Sequence, residues 1–246
     1  MDELKNINGR LNIFELNPAK MFLPELQIEK LIFQPQLDFN ALELKLDLVK
    51  HLNKDGDFTN INWLNTPGPI YTTFTDNCGT GQVEAIDNVS GDEDYHEVIF
   101  KQPFNEKELD ETLSAALCDP FGSYYFDGNL NWNADSVLNW WNRSEERASY
   151  IMARYKDELE LPEQPHISHW KIGDKVFAGQ LFGPPRPMPE NYKTWLDFYQ
   201  FGLKQYLEWY IQKLQNLQIS LPIFKYDWKY KLELDKLYKL NFPKKV

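Results

Sequence analysis

The sequence predicts an α+β fold: a mixed, mostly antiparallel sheet with packed helices and a long C-terminal amphipathic helix. Three observations carry that expectation. Short β-branched and aromatic runs recur at 70–74, 96–101 and 123–126. Over 190–216 the apolar residues keep a three-four rhythm, from Trp195 through Tyr199, Leu203 and Tyr206 to Tyr210, which is one broad helix face. Strand and helix signals alternate irregularly, which disfavours a doubly wound parallel sheet.

Taken in order, the first 35 residues hold Pro18, Pro24 and Pro35 with little periodicity and read as short packed pieces. Over 39–52, Leu42, Leu46, Val49 and Leu52 fit a helical face, and Asn53-Lys54-Asp55-Gly56 supplies a glycine stop. The alternation of Leu42, Leu44, Leu46 and Leu48 also fits a strand, but the length favours the helix. Pro67-Gly68-Pro69 marks a turn before the strand at 70–74, and 76–81 reads as a polar loop with two glycines. Gln102-Pro103 ends the strand at 96–101. Asn105 then caps a helix with Glu108 three residues on; Leu109, Leu113, Ala116 and Leu117 form its buried stripe, and Pro120 bounds it.

The strand at 123–126 closes on Asp127-Gly128-Asn129. Helices are expected over 134–141 and, capped by Ser144, over 144–159. Leu161-Pro162-Glu163-Gln164-Pro165 is the clearest linker, dividing an α+β core at 1–162 from an extension at 163–246 that packs on it as one structural unit. Runs 167–172 and 175–181 flank Gly173-Asp174 as a hairpin, and a proline-rich connector over 183–189 precedes the long helix. The tail beyond Pro222 is amphipathic and fits strand or helix equally.

Composition narrows the function classes. With 42% hydrophobic and 15% aromatic residues in 246, the chain is built to bury a core and is not disordered. The first twenty residues lack the basic start and apolar core of a secretory signal, and no apolar run approaches the roughly 20 residues of a membrane span, so a cytoplasmic, non-membrane protein is expected. Cys78 and Cys118 are read as two reduced thiols. Net charge is −11, and residues 76–127, with thirteen Asp or Glu against two Lys, account for all of it. Such a field repels phosphate backbones and favours basic partners, so nucleic acid is not an expected ligand. A solvated face is the plainer reading of any acidic stretch.

No motif specifies catalysis. His166 and His169 are spaced by three in an expected strand or loop, where they point apart, and no third zinc ligand lies near. Neither Asn53-Lys54-Asp55-Gly56-Asp57 nor Asp92-Glu93-Asp94 has the calcium-loop spacing. Cys78 lacks a nucleophile signature, and Gly79-Thr80-Gly81 lacks the Lys-Ser/Thr of a phosphate loop. No cofactor is implied. Asp127, Asp119 or Asp76 remain open as acid/base groups of a carboxylate enzyme acting on a small or sugar-like substrate, with Trp132, Trp140 and Trp141 as a stacking platform. Helical spacing makes Trp140 and Trp141 better core residues.

The runs IYTTFTDNCGTGQVEAIDN, DPFGSYYFDGN and WWNRSEERASYIMARY resemble bacterial immunity-type proteins encoded beside polymorphic toxins; the resemblance covers 63–160. It implies a non-catalytic antidote that binds a cognate toxin and occludes its active site, and it designates no catalytic residue. The residues fit a basic protein partner. Asp92, Glu93, Asp94, Tyr95 and Glu97 offer carboxylates and an aromatic after Ser90-Gly91, and Asp76, Tyr124 and Asp127 are second candidates. A structural or assembly role through the proline-rich connector and aromatic helix is a further alternative.

Overall fold

The computed structural model describes residues 22–35, 52, 56–160, 167–172, 175–180 and 189–224. Apart from Leu52, the expected helix at 39–52 lies outside the described residues, as do the linker at 161–165, the connector at 183–188 and the tail beyond 224. In chain order the elements are α1 (Leu26–Ile32), a 3-10 turn (Phe58–Asn60), β1 (Tyr71–Thr72), α2 (Thr80–Glu84), β2 (Val89–Gly91), β3 (Glu97–Ile99), α3 (Glu106–Cys118) and β4 (Tyr124–Tyr125). They continue with α4 (Gly128–Asn131), α5 (Ala134–Trp141), α6 (Ser144–Glu160), β5 (Ile167–Ile172), β6 (Lys175–Gln180), α7 (Pro189–Phe201) and α8 (Leu203–Gln215). The class is α+β, as the sequence predicts.

The strands pair differently from the expected single sheet. Among the described residues they form three two-stranded antiparallel ribbons: β1 with β4, β2 with β3, and β5 with β6. The physical reason is a side chain wedged where a ladder would run. Asn65, fully buried, sits between β1 and β3; its Oδ1 accepts from Thr72 N–H at 3.2 Å and Ile99 N–H at 2.9 Å, and its Nδ2 donates to Thr72 O at 2.9 Å. Thr72 Oγ1 reaches across to Glu97 O at 2.5 Å. Gln102 stitches the turn in the same way, donating to Thr66 O and Ile70 O at 3.0 and 2.8 Å and accepting from Ile70 N–H at 3.2 Å. Backbone groups that a ladder would satisfy are thus satisfied by amides.

The helices follow their sequence signals more closely. Asn105 Oδ1 accepts from Glu108 N–H at 2.9 Å to begin α3, and Leu109, Leu113 and Ala116 are buried beneath it. Glu108 does not reach back to Asn105 N–H as a full capping box would; its carboxylate accepts from Phe104 N–H at 3.0 Å and pairs with Lys101 at 3.1 Å. Asn133 and Ser136 form the reciprocal box that begins α5. Ser144 opens α6, but its hydroxyl donates back to Trp141 O at 2.6 Å instead of capping the helix.

The long C-terminal helix is interrupted at Gly202, between α7 and α8. Gly202 departs from helical dihedrals, with φ −121° and ψ −34°, and Phe22 packs against its bare backbone. A Cβ at Gly202 would lie 2.4 Å from the Phe22 ring, so the bare backbone gives that ring its place. Tyr192, Trp195, Tyr206 and Tyr210 are buried, and the phenols find acceptors in the N-terminal region: Tyr206 donates to Pro67 O at 2.8 Å and Tyr210 to Asn129 Oδ1 at 2.9 Å. Asn191 donates to Val89 O at 2.6 Å. Residues on both sides of the expected linker therefore share one apolar core.

Candidate functional site

The turn between β2 and β3 is closed by Asp92. Its Oδ1 accepts from Asp94 N–H at 3.0 Å and His96 N–H at 2.9 Å, and its Oδ2 accepts from Asn62 Nδ2 at 2.7 Å. Burial raises the Asp92 carboxyl above its ordinary value, while the hydrogen bonds oppose that shift. Tyr95 adopts a left-handed φ of 67°, which costs a non-glycine residue about 1 kcal/mol and brings the chain into β3. Glu93 and Asp94 project from this frame, both exposed; Glu93 receives a hydrogen bond from the Tyr150 hydroxyl of α6.

Beneath the turn lies a second carboxyl, Glu97, 1% exposed. Tyr124 donates to its Oε2 at 2.6 Å and Gly81 N–H to its Oε1 at 2.7 Å. Burial pushes this carboxyl up to about 7, with Asp76 and Asp119 adding to the rise and the two hydrogen bonds opposing it. A value near 7 suits acid/base chemistry, but the group is sealed under Gly81 and Tyr124, away from any substrate.

Asp119 organises the neighbouring edge. Its carboxylate accepts from Asp76 N–H at 3.0 Å, Phe121 N–H at 3.3 Å and Ser123 N–H at 2.6 Å, and Ser123 Oγ donates to Phe74 O at 2.8 Å. The loops after β1 and before β4 are thereby tied together. Each presents a phenylalanine outward: Phe74 is 64% exposed and Phe121 70% exposed. Phe74 also meets the His96 ring edge-on at 5.6 Å, which joins this edge to the acidic turn.

The eight residues expected to meet a partner are thus divided. Glu93 and Asp94 are exposed and Tyr95 is half-buried at the turn. Asp92, Glu97, Asp76 and Tyr124 are buried, with their polar atoms committed to the protein's own groups, so they frame the surface and do not form it. Asp127 stands at the other end of the β1–β4 ribbon, accepting from the Tyr71 hydroxyl at 2.8 Å and Asn131 Nδ2 at 2.9 Å. Sequence reasoning missed Phe74, which looks like a core strand residue, and Phe121. The signal for Phe121 was Asp119-Pro120-Phe121-Gly122, a turn with an Asp to bind its own backbone and a glycine at φ 64°.

The alternatives fare differently. Asp76 and Asp119 do meet, but Asp119 is occupied by backbone N–H groups and Asp127 is remote from both. Trp132, Trp140 and Trp141 are core residues. Arg147 packs over Trp140 at 4.1 Å from the ring centre and donates to Trp63 O and Trp140 O at 2.8 and 2.6 Å. Cys78 is exposed, and its hydrogen bond to Asp76 pushes the thiol up, against a role as nucleophile. Among the described residues no group of three or more His, Cys, Asp and Glu is placed to hold a metal, and no helix is long and apolar enough to cross a membrane. Comparison of the chain with protein-family models, curated proteins and solved structures returns no match.

Proposed function

We propose that this protein is a cytoplasmic, non-catalytic antidote that binds a basic toxin domain encoded beside it and covers that domain's active site. The supporting observation is the edge on which Phe74 and Phe121 are held outward on loops pinned by Asp119, next to the exposed carboxylates Glu93 and Asp94. Aromatic anchors fixed before contact, with charge beside them, have the composition of a binding hot spot. The acidic side chains would steer a basic partner to it. The resemblance of 63–160 to immunity-type proteins points the same way, because all three loops of this edge lie within that span.

The test is a calorimetric titration against the product of the neighbouring gene. A stable complex is expected, weakened roughly a hundredfold or more by Phe74→Ala combined with Phe121→Ala. Glu93→Lys combined with Asp94→Lys is expected to slow association and reduce its salt dependence. Two folded proteins that fail to associate at micromolar concentration would end this reading.

A further inference from the structure

Glu97 holds both ends of the 75–81 loop, one through its backbone N–H and the other through its buried carboxyl. Thr75 Oγ1 accepts from Glu97 N–H at 2.6 Å, and at the other end Gly81 N–H donates to Glu97 Oε1 at 2.7 Å. The closure is tight, since a Cβ at Gly81 would lie 2.4 Å from Glu97 Oε2 and 2.6 Å from the Tyr124 hydroxyl. Gly79, with φ 69°, turns the loop into the five-residue α2. Asp76 and Cys78 approach the carboxyl from the loop, Cys118 and Asp119 from the end of α3, and Tyr124 from β4. His96 precedes it in the chain, its Nδ1 at 2.7 Å from Thr75 O.

We propose that Glu97 is a proton-linked latch: opening of the 75–81 loop and release of the Glu97 proton are one coupled event. Shut, the loop keeps water from a neutral carboxyl that tolerates burial. Once ionised, the same group faces Asp76 and Asp119 from a desolvated position, and hydration through an opened loop relieves both penalties. Burial holds the proton to about pH 7 in the shut form, whereas an opened, solvated glutamate releases it near its ordinary 4.5. The loop follows Phe74 directly, so its opening alters the edge described above. That consequence rests on the docking reading; the latch does not, and its test uses the protein alone.

The test is amide hydrogen exchange followed by NMR on the full chain, corrected for intrinsic exchange rates. Between about pH 5 and 7 the protection of Gly81 N–H is expected to fall close to tenfold per pH unit, because each opening releases one proton, and to level off above about 7. Protection of Leu113 N–H in α3 should not follow this slope. Glu97→Gln should abolish the slope. Tyr124→Phe, which removes a hydrogen bond to the charged form, should move the plateau to higher pH. A flat Gly81 profile, or an unchanged slope in Glu97→Gln, overturns the proposal. Should Glu97→Gln fail to fold, the carboxyl carbon resonance of Glu97 in the unmodified protein decides: a group that does not titrate between about pH 5 and 8.5 is not the latch. A partner whose affinity ignores pH while the slope is present would remove only the link to docking.

Discussion

Replacing Asn65 with Ala tests whether an amide wedge, and not a continuous sheet, organises the strands. The side chain makes five hydrogen bonds: to Thr72 N–H, Thr72 Oγ1 and Ile99 N–H through Oδ1, and to Thr72 O and Asn62 O through Nδ2. Some of these partners keep other bonds. Thr72 Oγ1 retains Glu97 O at 2.5 Å, and Thr72 O still accepts from Asn62 N–H at 3.1 Å. The Thr72 and Ile99 N–H groups each lose a buried acceptor, at about 1–3 kcal/mol apiece, so the expected cost is about 2–6 kcal/mol. That is a large share of the roughly 5–15 kcal/mol that a domain has in total. Equilibrium unfolding in urea, read by tryptophan fluorescence, measures it, with Asn60→Ala as the control because that amide is exposed and, among the described residues, bonds only to Asp57. A loss below about 1 kcal/mol with an unchanged denaturant slope would show that the ribbons are aligned by something other than Asn65.

Gly202→Ala should lower the midpoint of thermal unfolding despite alanine's better helix propensity, because the added methyl meets the Phe22 ring at 2.4 Å; overpacking of that kind costs about 1–3 kcal/mol. Arg147→Lys should destabilise by about 2 kcal/mol in urea unfolding, since an ammonium cannot stack on Trp140 while donating to both the Trp63 and Trp140 carbonyls. Stability should also depend on pH through Glu97, whose folded value is raised from 4.5 to about 7. Its stabilising contribution is complete below about pH 4.5 and is lost as pH rises to 7, a change of about 3 kcal/mol; urea midpoints of Glu97→Gln and the unmodified protein should diverge over that window and run parallel above it.

What could be read from the sequence was local. Asn105 announces a helix start because a cap is decided within three residues, and the α7–α8 face is visible because its aromatic rhythm is long. The need for glycine at 202 was not legible, since it depends on Phe22, 180 positions earlier in the chain. The pairing of strands was not legible either. Runs of two or three paired residues carry too little alternation to fix neighbours, and the deciding contacts belong to Asn65 and Gln102, which look like loop residues. At the candidate site, charge alone could not separate Asp94, which faces water, from Asp92, which closes the turn.

That separation changes what the acidic stretch means. Of the thirteen carboxylates between residues 76 and 127, five are buried: Asp76, Asp92, Glu97, Glu108 and Asp119. Each of these accepts at least one backbone N–H, and Asp119 accepts three. The region has little regular ladder, so its loops need acceptors from elsewhere, and short acidic side chains supply them. Part of the local charge is therefore a requirement of the fold and contributes little to the outward field. A charge reversal that includes Asp92 would release the Asp94 and His96 N–H groups and unmake the turn, so lost binding in that variant would say nothing about docking. Reversal of Glu93 and Asp94 alone leaves the three Asp92 bonds in place and removes, besides two exposed carboxylates, only the acceptor of the Tyr150 hydroxyl, which makes it the informative substitution.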